Sequence, residues 1–384
     1  MAVIDKTDSV GSTFDLMITP IKGDGTLPDS LTLEVSRDKA YGLVQITKDV
    51  KVTAGSGETF LLSTSIFAAL PETDSTSPIE FTVDEKLYVS YPNTADMQDV
   101  KFDFEYSDNP ALFLRKPVVQ PQYTFNQATW KVLDSYIEAA SDYTLKKEEA
   151  ESMSTVKLTL DPNGSAVIEA TNGTDAFTAE IKLTNVAFTG TDAFECLLHP
   201  PAWAAAMLLG SRASGDVYVG MDKDNITFAS DGMVLTHSIM NYPNFPTVMD
   251  VIKEHIQKPN DTFSSKINPM LFHGKLKYLE NVGMTAKTWE PLFVVSDNGG
   301  TPLVKLKGFQ SNGQAKIADK AILDITWKRQ KDIRIPARLM LRSLVICDTL
   351  GLTDLFDIDG LPAVFMSNPE RSCFILLAQE VSEG

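Results

Sequence analysis

Apolar and polar residues alternate, around a short polar turn, in three places: residues 79–91, 216–230 and 361–378. Each segment predicts a β-hairpin. Side chains of a half-buried strand point in turn to core and solvent, and the Asp, Asn and Pro between the runs favour turns. Before each hairpin lies a shorter apolar stretch with helical spacing, beginning near Ser63, Pro200 and Pro336, residue types that suit a helix start. Those starts are 137 and 136 residues apart. Longer helices are predicted over 126–142 and 268–282. Pro121-Gln122-Tyr123-Thr124-Phe125 precedes the first and Pro259-Asn260-Asp261-Thr262-Phe263 the second, so both read Pro-x-x-Thr-Phe. A period near 137 divides the chain into three similar α+β units, residues 1–118, 119–257 and 258–384. Projecting Phe125 back by one period falls before Met1. The first unit is therefore expected to lack its first long helix and to open near the strand at 14–21.

The helical stretches each predict one buried side. In 336–346, Ala337, Met340, Leu341 and Leu344 form an i, i+3, i+4, i+7 stripe, with Arg338 and Arg342 four apart on an exposed edge. In 268–282 the stripe is Phe272, Leu276 and Leu279; Lys277 and His273 lie on the other side, and Lys275 flanks it. In 126–142 the apolar face is read as Val132, Leu133, Tyr136, Ile137 and Ala140, and the polar face carries Lys131, Glu138 and Asp142. A solvated helix face accounts for any one of these cations. Repeated helices presenting cations to one shared surface account for them together.

Charge sharpens that second reading. The net charge is -17, which opposes non-specific adhesion to nucleic acid. The excess is uneven: residues 258–384 hold 16 Lys and Arg against 14 Asp and Glu, so the negative surplus lies in the first two thirds. At 43% apolar the chain has material for a core in each unit. No apolar run reaches the roughly 18 residues of a membrane span, and the N-terminus lacks the pattern of a signal peptide. Cys196, Cys347 and Cys373 are sparse and odd in number, which argues against a disulfide framework and suits a reducing cytoplasm.

Catalytic chemistry is hard to assemble from these residues. His199, His237, His255 and His273 are scattered, with no partner at metal-ligand spacing. Gly55-Ser56-Gly57 has no Lys where a phosphate loop needs one and reads as a hairpin turn between Val52 and Phe60. Asp222-Lys223-Asp224-Asn225 lacks the Gly and distal Glu of a calcium loop and reads as a polar β-turn. The expectation is a non-enzyme with no catalytic set, no cofactor and no metal site.

The residues resemble the bacterial β sliding clamp of the replicative DNA polymerase. Ile168-Glu169-Ala170-Thr171-Asn172-Gly173 is similar to that family's Ala-Thr-Asp-Gly strand and turn. Tyr242-Pro243-Asn244-Phe245-Pro246-Thr247-Val248 resembles its Phe-Pro-Asp-Tyr segment, and Leu361 through Leu377 its closing hairpin. The resemblance implies three repeated clamp domains, with helices inside and antiparallel sheets outside, in a head-to-tail homodimer that rings duplex DNA without reading its sequence. It implies a DNA polymerase, a clamp loader and other clamp-binding proteins as partners, no membrane, and a place in the cytoplasm. The DNA-facing candidates are then Lys131, Arg212, Lys275, Lys277, Arg338 and Arg342. A client-peptide pocket would draw on Thr171, Gly173, Pro243 and Val248, and on Ile375, Leu376, Leu377 and Ala378; apolar strand residues near a chain end can equally be core. Ile375 or Leu377 would face Val248 and Pro243.

Two departures bear on that pocket. Thr247 stands where the family has an arginine, and Leu377-Ala378-Gln379-Glu380 replaces its usual Met-Pro-Met-Arg ending. They point to a different peptide or none, and such divergence would suit a clamp encoded by a virus of bacteria. The alternative is a clamp-fold scaffold for transcription or another assembly that has no role in replication.

Overall fold

The computed structural model describes residues 115–145 and 151–240 continuously, residues 59–64, 86, 105–113 and 244–246, and the strands named below. The first strands are β1 (Leu16–Lys22), β2 (Pro28–Arg37), β3 (Ala40–Ile46) and β4 (Phe60–Leu62). Next come β5 (Glu80–Val83), β6 (Leu87–Pro92), β7 (Asp99–Phe104) and β8 (Tyr123–Phe125). Helix α1 (Gln127–Ser141) leads to β9 (Val156–Leu160), β10 (Ser165–Thr171), β11 (Ala176–Lys182), β12 (Val186–Phe188) and β13 (Phe194–Leu198). Helix α2 (Pro200–Arg212) is followed by β14 (Val217–Met221), β15 (Asn225–Ser230), β16 (Met233–Ser238) and β17 (Thr262–Ile267). The remainder are β18 (Trp289–Asp297), β19 (Pro302–Gln310), β20 (Ala315–Ala321), β21 (Ile333–Pro336), β22 (Thr353–Ile358), β23 (Ala363–Ser367) and β24 (Cys373–Ala378).

All three alternating segments form antiparallel hairpins, β5–β6, β14–β15 and β23–β24. The segment at 222–225 is a β-turn: Asp222 accepts from the amides of Asp224 and Asn225, and its own amide donates to Asn225 O. The turn expected at Gly55-Ser56-Gly57, the helix expected over 268–282, and those expected near Ser63 and from Pro336, beyond Thr64 and beyond Pro336 at the end of β21, lie outside the described residues.

The chain forms two compact units, residues 1–127 with 208–239, and 128–207 with 240–384. In the first, the unit's own strands of a large sheet run β8-β14-β15-β16-β3-β2-β1-β4, beside a small sheet β5-β6-β7. In the second, the large sheet runs β17-β22-β23-β24-β11-β10-β9-β13, and the small one β20-β19-β18-β21. The large sheets have one plan. A four-strand set ending on a hairpin strand (β16 or β24) pairs with a second set that begins on β3 or β11. The small sheets are halves of that plan: β5-β6-β7 matches β14-β15-β16, and β20-β19-β18-β21 matches β11-β10-β9-β13.

In the first unit β1 is covered on both faces. Leu16 and Ile18 join Leu62 and Val89, while Met17 joins Leu61 and Phe113 on the other side. The chain between Arg115 and Gln122 lies as a strap on this unit. Arg115 donates through Nε and Nη2 to Glu34, at 2.8 and 2.6 Å. Lys116 bonds Ser238, the Val119 amide donates to Thr227 Oγ1 at 2.9 Å, and the Gln122 amide to Val219 O at 2.8 Å.

In the second unit α1 buries Trp130, Leu133, Tyr136, Ile137 and Ala140. Val132, expected on the apolar face, is 47% exposed. The buried arc centres on Leu133, and Val132 is turned away from it by one residue step, roughly 100°. Lys131 falls opposite the arc and is exposed. Trp203 of α2 is buried and donates its indole N–H to Val156 O at 3.2 Å, which fixes the helix on β9. A side chain of that size buried fully contributes on the order of 2–3 kcal/mol.

Candidate functional site

The β10–β11 hairpin builds its turn from polar side chains. Thr171 Oγ1 donates to Asp175 O at 2.8 Å and accepts from the Gly173 amide at 3.1 Å. Asn172 Oδ1 accepts from the amides of Thr174 and Asp175, at 2.9 and 2.6 Å. Gly173 sits at φ +89, where L side chains are strained, and a Cβ there would lie 3.1 Å from Met153 Sδ. Thr171 is fully buried and Gly173 exposed. Thr171 thus shapes the turn from beneath, and Gly173 offers surface.

Strand register brings the C-terminal strand to this turn. Thr171 pairs with Ala176, Ala176 with Leu376, and Leu376 with Phe365, making one row across four strands. Ala176 is the first residue of β11, so Leu377 and Ala378 continue β24 past the end of the ladder, alongside residues 172–175. They stay paired there with Val364 and Ala363 of β23. Ile375 pairs with Phe177 and is 1% exposed, and Cys373, two residues back on the same face, is 2% exposed. Burial pushes the Cys196 thiol on β13 well above its ordinary pKa, which keeps it an unreactive core group.

Of the client-pocket candidates, Thr171, Gly173, Ile375, Leu376, Leu377 and Ala378 thus come to one end of one sheet. Pro243 and Val248 lie outside the described residues, as does Thr247. Residues 244–246 between them are described. The Phe245 ring lies under the Lys157 ammonium, with 5.6 Å from Nζ to the ring centre. Neither Met153 nor Lys157 was among the sequence candidates; both approach the site through tertiary packing.

Of the DNA-facing candidates, Lys131 on α1 and Arg212, the last residue of α2, are described and exposed. Lys275, Lys277, Arg338 and Arg342 lie outside the described residues. Arg212 ends a helix with no acidic residue in it, where a cation also complements the helix dipole. Gln127 Nε2 donates to the carbonyls of Gly210 and Gly215, at 3.1 and 2.7 Å, tying the start of α1 to the end of α2. Lys131 shares its face with Asp134 and Glu138. Burial, and then the charge of Glu138, hold the Asp134 carboxyl above its ordinary pKa. Among the described residues there is no cluster of three potential metal ligands, and no helix long and apolar enough to cross a membrane.

No protein-family model matches the sequence, and neither does any curated protein. Solved structures do. The DNA polymerase sliding clamp from Bacillus subtilis superposes with a TM-score of 0.70 at 11% identity, over 96% of this chain and 91% of that one. The DNA polymerase III subunit beta from Pseudomonas aeruginosa gives 0.68 at 12% identity, over 98% and 97%. The Helicobacter pylori beta clamp, solved with a DNA ligase peptide bound, gives 0.66 at 11%, over 97% of both. The chain has the fold of the bacterial DNA polymerase III β sliding clamps, an α+β architecture of antiparallel sheets with two α-helices among the described residues.

Proposed function

From this fold we propose that the chain is a DNA sliding clamp: two copies joined head to tail enclose duplex DNA, and the groove at the β10–β11 turn tethers a polymerase or another client. One observation carries the reading, the pair of half-sheets. Each large sheet is completed where a hairpin strand, β16 or β24, pairs with β3 or β11. The same order leaves β7 and β20 as sheet edges among the described residues. Joining β7 of one copy to β20 of the next gives a third sheet of the same plan. That contact is heterologous, and two such contacts close a ring. The recurrence also supports three clamp domains per chain, residues 1–118, 119–257 and 258–384, six in the ring.

An acidic protein can stay on DNA in this way because encirclement, rather than affinity, retains it. Cations on the inner helices need only hold phosphates loosely. Lys131, Arg212, Lys275, Lys277, Arg338 and Arg342 are assigned that role. The client groove is assigned to Thr171, Gly173, Pro243, Val248 and residues 375–378, with Thr171 and Ile375 shaping it from below. The peptide-bound Helicobacter pylori clamp supports a linear peptide as the ligand class.

The test loads the protein onto nicked circular DNA, linearises half of the sample with a restriction enzyme, and follows release. Retention on circles with fast loss from cut DNA is the expected result. Lys131→Glu with Arg212→Glu should lower the slope of log retention against log salt by about two. One observation favours a clamp-fold scaffold that does not encircle DNA: the exposed face of α1 sets Lys131 beside two carboxylates, Asp134 and Glu138. Equal release from circular and cut DNA would select that reading.

A further inference from the structure

Lys157, Glu169, Glu195 and Phe245 form a cluster near the groove to which the clamp reading assigns no role. Lys157 stands on β9 directly opposite Glu169 of β10, and Glu195 lies diagonally across on β13. Lys157 Nζ is 3.0 Å from Glu195 Oε2 and 3.5 Å from Glu169 Oε2. The Glu169 side chain is only 7% exposed. A carboxylate so placed needs its counter-ion, so the position of the ammonium is fixed from two sides. The third side is the Phe245 ring, at 5.6 Å and within cation–π range. Burial works against the charge on Lys157. The hydrogen bond to Glu195 and the fields of Glu169 and Glu195 outweigh it and hold its pKa above the ordinary lysine value.

The segment this ring belongs to, residues 244–246, lies in no helix or strand. Pro243 and Pro246 have no amide N–H, so two backbone donors are missing within four residues. A side-chain anchor therefore counts for more here than on a strand. In sequence Pro243 precedes this segment and Val248 follows it, the two groove residues that the sheet itself does not supply.

We propose that Lys157 is a positioning residue for the client groove: the cation fixed by Glu169 and Glu195 anchors Phe245, and with it residues 244–246, which lie in sequence between Pro243 and Val248. The anchor stands on its own geometry; its effect on clients rests on the groove reading. The test uses the full chain with Phe245→Leu, Lys157→Met and Lys157→Arg, and reads amide hydrogen exchange by mass spectrometry. Residues 241–250 report the anchor and residues 165–182 serve as the reference. Phe245→Leu removes the ring and leaves every charge paired. It should speed exchange in 241–250 about tenfold and leave 165–182 unchanged within about twofold. Lys157→Met should speed 241–250 at least as much. Lys157→Arg should stay near wild type, because a guanidinium keeps both the ion pairs and the stacking.

Unchanged exchange in 241–250 for Phe245→Leu would overturn the proposal. So would equal acceleration of 165–182, which would make Phe245 a general core residue. In parallel, each variant is titrated with the DNA ligase peptide of the Helicobacter pylori complex. Affinity should fall about tenfold in the first two variants and return in Lys157→Arg. A wild-type chain that does not bind this peptide counts against the groove reading, while the exchange result still decides the anchor.

Discussion

A methyl group at Gly220 would lie 2.3 Å from Gln120 O and 2.7 Å from Val119 O, backbone atoms of the strap over β14. A backbone cannot swing aside as a side chain can, so the strap or the strand must move. Gly220→Ala should destabilise the protein by about 1–3 kcal/mol, read as a lower denaturant midpoint. Asp231 acts through charge instead. It sits at the β15–β16 turn with φ 46 and accepts from the Ser214 amide, the Ser214 hydroxyl and the Gly215 amide. Those bonds, in that order, hold its pKa below the ordinary 3.8. A depressed folded-state pKa gives stability that is present above the unfolded value and disappears as pH falls through the folded one. Asp231→Asn keeps the turn geometry and removes the charge. The Tm gap between wild type and this variant should therefore be open at neutral pH and shrink below pH 3.8; a gap independent of pH would refute the account. At this scale the sequence is least legible. Val132 looks apolar and faces solvent, while Glu169 looks exposed and is buried, since its partner Lys157 belongs to the neighbouring strand.

β24 is the element on which the two halves of its sheet depend, pairing with β23 on one side and β11 on the other. Ile375 is 1% exposed within it. Truncation to Ala should cost about 2–5 kcal/mol, with loss of the thermal transition as the most severe form of the same result. A variant that melts like wild type would show that β24 is not part of the core. Elements of this kind were mostly legible. The hairpins followed from period-two alternation, α1 from helical spacing, and α2 from helical spacing and a proline start. The turn at 171–175 was implied only by the resemblance of residues 168–173 to the clamp family; Thr171, Asn172 and Gly173 build it through their side chains and backbone freedom. The partners of edge strands were not legible. Alternation reports that one face of a strand is buried, yet says nothing of which distant strand lies beside it, and β3 finds β16 across most of the first two repeats.

For the molecule as a whole, the seam proposed between copies, β7 against β20, is the part most open to manipulation. β7 carries Asp99, Lys101 and Asp103, and β20 carries Lys316, Asp319 and Lys320, so the strands have opposite net charge to set the contact and its on-rate. Lys316→Glu with Lys320→Glu should shift the assembly from dimer toward monomer at micromolar concentration in light scattering, more strongly at low salt. An unchanged mass would refute this seam. The large sheets also constrain how the protein comes into being on the ribosome. β3 ends at Ile46 and its partner β16 begins at Met233; β11 ends at Lys182 and β24 begins at Cys373. In each case roughly 190 residues separate the strand from the partner that covers it. At about 5–20 residues per second of synthesis, that leaves each emerging half-sheet with a bare edge for on the order of 10–40 seconds. Such an edge can template the wrong neighbour, including the same strand of a second nascent chain. Yield of native protein should therefore respond to translation speed and to chaperones that shield strand edges, independently of the stability of the finished fold.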